Sequence, residues 1–183
     1  MPEPNERITG HLDTDAVHCG EKTWLGSVTT PIAFSSTFVF KDMKEVLAYG
    51  QSQAPHYEYG RYGNPTREAA EKKLAALEGA ERCVLFDSGM SAVTATILSL
   101  CEQGKHLVIT DDAYKQTLSF VTKVAPRFGI SSTVVPMGNY RALEDAIRDN
   151  TVMIISESPT NPYLNIADVD EVVRIARHRG VLS

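Results

Sequence analysis

From residue 66 onward the chain alternates short apolar runs with helix-length segments. This alternation limits the possible folds more than any single motif does. RCVLF (82–86), HLVIT (106–110), ISSTVV (130–135) and VMIIS (152–156) have the length of strands. Several are continuously apolar rather than half-polar, the pattern of strands buried on both faces. Between them lie segments predicted to be helices: TREAAEKKLAALEG, stopping at Gly79, then 89–101, 117–127, 140–149 and 168–179. VLS at 181–183 begins another apolar run. Strand and helix in alternation predict an α/β protein with a mainly parallel sheet covered on both faces.

Residues 1–63 have a different texture. VTTPIAFSSTFVF is broken by Pro31 and serines and reads as an extended arm. DMKEVLAYG is predicted to form a short helix with Asp42 as N-cap and Gly50 as stop. Irregular backbone carrying this many apolar residues needs another surface to lie on, and a neighbouring subunit can supply it. The expected division is an arm over 1–63 and an α/β domain from 64 to 183.

Composition excludes several functions. The net charge is −5 and no basic cluster occurs, which argues against nucleic-acid binding. The segment MPEPNERITGHLD shows no signal- or transit-peptide character, and no apolar run reaches membrane-spanning length. Cys19, Cys83 and Cys101 make neither a metal spacing nor a disulfide framework, so a reducing, cytoplasmic setting is expected. Five scattered histidines give no metal motif, and there is no GxSxG elbow, GxGxxG fingerprint or P-loop.

In parallel α/β sheets, ligands bind beyond the carboxyl ends of the strands. The unusual residues fall there. Ser88-Gly89-Met90-Ser91 joins the run at 82–86 to a helix N-terminus, where free N–H groups and the dipole attract an anion. The same four residues also read as a simple serine cap. Tyr114 follows Asp111 and Asp112, and its ring could stack on a planar ligand or lie half-buried with its hydroxyl in solvent. Glu157 and Asn161 flank a Ser-Pro-Thr turn and can orient a ligand or form an ordinary Asx turn. In YEYGRYGNPT (57–66), a guanidinium beside tyrosine hydroxyls suits a phosphate; the plain alternative is an aromatic surface turn.

YEYGRYGNPT, DSGMSA, DDAY with a following threonine, and ESPTNP occur in that order. With these motifs the chain resembles the Cys/Met-metabolism family of pyridoxal-phosphate (PLP) enzymes, the cystathionine γ-synthase and γ-lyase group. The resemblance runs from about residue 14 to 183 and is nearest to the plant-type γ-synthases. It implies the large domain of the aspartate-aminotransferase-like fold type I. It also implies that Ser88, Gly89 and Met90 hold the cofactor phosphate and that Tyr59 and Arg61 reach that phosphate from a neighbouring subunit. Tyr114 would stack on the ring and take a proton from the substrate amine. Asn161 would lie near the phenolic oxygen or the substrate carboxylate, with Glu157 supporting that turn. The implied reaction replaces the leaving group of an activated homoserine ester with cysteine. Sulfhydrylation and γ-elimination are the alternatives within the family, in a dimer of dimers.

The chain also departs from the family pattern. The catalytic lysine belongs to a Ser-x-Thr-Lys motif, and the aspartate for the pyridine nitrogen follows the strand that begins at Val181. Neither lies within these residues. Lys22, Lys41, Lys44, Lys72, Lys73, Lys105, Lys115 and Lys123 have no such context. The expectation is therefore the N-terminal part of a larger enzyme, inactive alone; a stand-alone non-catalytic protein that binds a full-length partner is the alternative. Lys115, next to Tyr114, is expected to favour a phosphoryl ester of homoserine.

Overall fold

The computed structural model describes residues 11–21 and 26–183. Lys22 and residues 1–10, on which part of the N-terminal reading rests, lie outside the described residues. The chain divides into two compact units, residues 1–85 and 86–183. The first unit therefore extends past the expected division at 63/64 and includes the first long helix.

Among the described residues, the first unit contains three helices. The first, α1 (Leu12–His18), has no counterpart in the sequence reading. It carries no side-chain cap and owes its place to packing against α3 (Pro65–Leu77). The Lys73 ammonium donates to the Val17 carbonyl at 2.5 Å, satisfying an acceptor that the helix end leaves open. Cys19 is buried and its thiol donates to the Lys72 carbonyl. At Gly20 the backbone is left-handed and an added Cβ would come within 2.6 Å of Lys72 Cβ, so only glycine fits there.

In α2 (Met43–Gly50), Asp42 accepts the Glu45 N–H as expected, and the Glu45 carboxylate reaches back to the Lys41 N–H. The helix ends at Gly50 as expected, and Ser52, at φ 57°, takes the left-handed turn just beyond it. In α3, Asn64 accepts the N–H groups of Thr66 and Arg67, Pro65 occupies the first turn, and Gly79 at φ 62° ends the helix as expected.

The arm is extended. Thr37 bridges Tyr59 antiparallel, and Asn64 and Thr66 bond both sides of the Ala33 peptide. Val28, Phe34 and Val39 remain exposed.

The run at 82–86 is not a strand, which corrects the expectation. A strand exists only where a neighbour completes its ladder, and among the described residues none runs beside this segment. Leu85 instead donates its N–H to the Glu71 carboxylate of α3.

The second unit is α/β. Its sheet is parallel in the order β2–β1–β3, with β1 His106–Thr110, β2 Ser131–Val135 and β3 Thr151–Ile155. Val108 sits opposite Thr133 on one side and Ile154 on the other. Leu182 pairs with Met153, so the run at 181–183 joins the sheet as expected. Alternation along β1 feeds two cores. Leu107 and Ile109 pack with Ile97 and Cys101 of the α4 (Gly89–Leu100) segment and with Val121. Val108 packs with Leu143 of α6 (Tyr140–Asp145) and with Val172 and Ile175 of α7 (Val169–Arg179). All five β1 residues are buried, and each fully buried aliphatic side chain contributes about 1.5–3 kcal/mol.

The helix expected at 117–127 is a composite. The α-turns of α5 (Lys115–Ser119) pass into a π-turn over Phe120–Val124 and a 3₁₀ turn over Ala125–Phe128. Pro126 cannot donate to a helical ladder, and the Thr122 hydroxyl bonds the Leu118 carbonyl, so the regular α pattern stops early. α6 is likewise shorter than expected, ending at Asp145. Among the described residues no helix is long and apolar enough to cross a membrane.

Candidate functional site

The carboxyl ends of the strands in the second unit gather the polar residues. At the start of α4, Ser88 is the N-cap; its hydroxyl accepts the Ser91 N–H at 3.1 Å and donates to Ser91 Oγ at 2.8 Å. The cap satisfies Ser91 and leaves the first-turn N–H groups of Gly89 and Met90 without an intrahelical acceptor. Gly89 is exposed, and a Cβ there would meet nothing within 4 Å. Its neighbours therefore do not demand a glycine; open space and two directed donors remain. Met90 is tied inward, since the buried Thr117 hydroxyl donates to its sulfur at 3.6 Å. Thr117 thus joins α5 to the first turn of α4, a link the sequence reading missed.

The loop 111–114 leaves β1 and is fastened on both flanks. On the β2 side, Asp111 Oδ1 accepts the Met137 N–H at 2.9 Å. On the β3 side, Asn165 Nδ2 donates to Asp112 Oδ2 at 3.1 Å, and the Tyr114 N–H donates to Glu157 Oε2 at 2.5 Å. Tyr114 is the N-cap of α5 and is 42% exposed, so its ring remains open to a ligand. Lys115 is the first residue of α5 and is exposed.

The loop after β3 is built around Thr160, which is fully buried. Its hydroxyl accepts the Asn165 N–H, and its own N–H bonds the Asn165 carbonyl. The Ser158 hydroxyl accepts the Ala167 N–H. This framework sets Glu157 against Tyr114. Asn161 lies exposed in the same loop; no side-chain hydrogen bond joins it to Tyr114 or Glu157 among the described residues. Sequence reasoning identified Glu157 and Tyr114 separately but not their bond; it noted Asp112 only as a neighbour of Tyr114 and did not single out Asn165. The only available signal was their position just past two strand ends.

Within the first unit, Tyr59 and Arg61 form a small built cluster. The Arg61 guanidinium carbon lies 5.1 Å from the Tyr59 ring centroid and 5.7 Å from that of Tyr62, and the two rings meet edge-on. Cation–π contact holds the fork in place without using its N–H donors. The Arg67 guanidinium bonds the carbonyls of Gly60 and Arg61, which fixes the turn.

An α/β unit with an accessible tyrosine past β1, tied through Thr117 to a helix terminus with open amides, is of a class suited to a ligand that joins an anion to a planar group. The comparisons with known proteins give that class a family. The chain belongs to the Cys/Met metabolism PLP-dependent enzymes, whose family model matches residues 13–183. It is 36% identical to cystathionine γ-synthase 1, chloroplastic, of Nicotiana tabacum, over 98% of this chain and 35% of that protein. It is 43% identical to the cystathionine γ-lyase of Bacillus subtilis, over 88% of this chain and 40% of that protein. The structure of metY from Campylobacter jejuni, which contains N′-pyridoxyl-lysine-5′-monophosphate, superimposes with a TM-score of 0.85 at 26% identity, covering 93% of this chain and 42% of that one. The chain thus spans less than half the length of these relatives.

The family cofactor is pyridoxal phosphate, and the residues present fit it. Two free N–H donors beside an unhindered glycine suit a phosphate, and the exposed Tyr114 ring suits a pyridine face.

Proposed function

We propose that the intact protein carrying this chain is a cystathionine γ-synthase, replacing the leaving group of an activated homoserine ester with cysteine. The observation that carries this reading is the 36% identity to the tobacco γ-synthase across 98% of the chain, both units included. When bound, pyridoxal phosphate supplies an electron sink for charge developing on the substrate carbon. The chain's own residues bind and orient. The Gly89 and Met90 N–H groups and the Ser88 side grip the phosphate at the α4 terminus. Tyr114 covers the ring face, and its phenolic oxygen takes a proton from the substrate amine. Asn161 directs the phenolic oxygen of the cofactor or the substrate carboxylate. Tyr59 and Arg61 add phosphate donors from the arm of a second copy, a use that suits their preformed fork. The protein is then a homo-oligomer.

A second reading, γ-elimination, is favoured by the 43% identity to the Bacillus subtilis γ-lyase over a shorter stretch. Steady-state assays of the intact protein separate the two. A synthase forms cystathionine from a homoserine ester and cysteine faster than it releases a keto acid from cystathionine. Faster release from cystathionine assigns the lyase instead.

A further inference from the structure

Asp112 is the least satisfied charged group at the strand ends. Its Oδ1 is buried and has no hydrogen-bond partner among the described residues, and its Oδ2 accepts from the Asn165 amide at 3.1 Å. A carboxylate oxygen withdrawn from water needs a donor, and with none on Oδ1 the one bond to Oδ2 sets where this half-exposed group sits. Asp112 is two residues before Tyr114 in a loop whose other flank is already fixed by Asp111 to Met137. Asn165 is itself immobilised, since both its N–H and its carbonyl bond the buried Thr160. Its amide is therefore a rigid post aimed at the loop that presents Tyr114.

We infer that Asn165 is a positioning residue for Tyr114, acting through Asp112 to hold the tyrosine ring against the cofactor. This rests on the reading of Tyr114 as the residue that covers the cofactor ring. Together with Glu157, which accepts the Tyr114 N–H, Asn165 makes the loop after β3 a two-point clamp on loop 111–114. Losing the Asn165 amide would leave the Asp112 carboxylate with no donor, and the loop would shift to bring it to water. The ring would move with it.

The test uses the intact protein freed of cofactor and titrated with pyridoxamine 5′-phosphate, a probe that forms no bond to lysine. Affinity and the circular dichroism of the bound ring are read together with the urea midpoint of each variant. Tyr114→Ala sets the full effect of losing the ring contact. Asn165→Ala is expected to weaken binding by about tenfold and to diminish the ring signal. The double variant Asp112→Asn with Asn165→Asp reverses donor and acceptor across the same gap and is expected to restore both to within about twofold. A purely structural role predicts a lower urea midpoint with an unchanged ring signal, which overturns the proposal. So does an Asn165→Ala variant that binds like wild type while Tyr114→Ala does not, or a reversed pair that recovers nothing. If Tyr114→Ala itself leaves affinity and ring signal unchanged, the reading of the site falls and the positioning role with it.

Discussion

Glu157 and Tyr114 lie 43 residues apart in sequence, yet the Glu157 carboxylate accepts the Tyr114 N–H at 2.5 Å. The bond satisfies the N–H of the N-cap residue of α5 with a group from another loop, while Tyr114 supplies no side-chain cap of its own. It fixes the one aromatic residue that faces out at the end of β1. Bonds from backbone N–H groups to a charged acceptor are worth about 1.5–3 kcal/mol.

Glu157→Ala should therefore lower the unfolding free energy by about 1.5–2 kcal/mol, the lower part of that range because Glu157 is only half-buried. Glu157→Gln, which keeps an acceptor oxygen, should cost less than half as much. Urea unfolding of the two variants checks the order; equal losses would mean that the carboxylate acts by charge or packing rather than through this bond.

His106 is a pH-dependent element at the opposite end of β1. It is fully buried, with Nδ1 2.8 Å from Thr151 Oγ1 and Nε2 2.9 Å from Thr133 Oγ1. Both hydroxyls already accept from Arg148, one from its N–H and the other from its guanidinium. A neutral ring, one donor and one acceptor, completes this network, whereas a charged ring would need both oxygens to accept again. Burial first and the Arg148 charge second hold His106 below its ordinary value. The unfolded chain then binds a proton that the folded chain does not, so stability is full above about pH 6.5 and falls as the pH drops below it. Thermal melts between neutral and mildly acidic pH should show this fall, and His106→Gln should flatten it. An identical slope in the variant would assign the acid sensitivity elsewhere.

Lys115 is exposed at the first position of α5, where a cation opposes the helix dipole. Capping gains nothing from it there, and an anionic leaving group held beside the Tyr114 ring would give it a partner. The intact enzyme should prefer O-phosphohomoserine, with the succinyl ester next. Lys115→Ala should reduce the phosphoryl-over-acetyl ratio of kcat/KM by about tenfold. A ratio that does not change among the phosphoryl, succinyl and acetyl esters would remove Lys115 from substrate choice.

Tyr59 and Arg61 are proposed to act on a neighbouring copy's cofactor. Mixing intact chains carrying Arg61→Ala with chains carrying Tyr114→Ala should then yield hybrid sites with both groups present, and activity above either parent. Mixtures that stay at the parental level would place both groups in one chain's site.

Much of this was legible before any coordinates, because period and caps are local. Asn64, Asp42 and Ser88 cap the helices that their sequences announce, and continuous apolar runs became β1 and β3. The failures share one cause, dependence on distant partners. RCVLF has strand composition but, among the described residues, no strand beside it, and its Leu85 N–H turns to Glu71. α1 has weak helical signals and forms through its packing on α3 and the Lys73 bond. Pro126 could have been read as the end of the helical segment, but the π-turn before it carries no such local marker. At the site, Ser88 and Gly89 were visible as a helix start, and Tyr114 and Glu157 as unusual residues past strand ends. The Thr117–Met90 and Asn165–Asp112 links were not, since each joins two segments that sequence spacing does not relate.

The central claim is that the α4 terminus holds the cofactor phosphate, and Gly89→Ala tests it most directly. A Cβ at Gly89 meets nothing within 4 Å, so the fold should tolerate alanine. Helix propensity should even raise stability by up to about 1 kcal/mol. The same methyl group would stand where the phosphate approaches the Gly89 and Met90 N–H groups. In the intact protein freed of cofactor, the variant should keep or raise its urea midpoint while its affinity for pyridoxamine 5′-phosphate falls by at least about tenfold. Affinity within about twofold of wild type, at undiminished stability, would contradict the placement of the phosphate at this helix terminus.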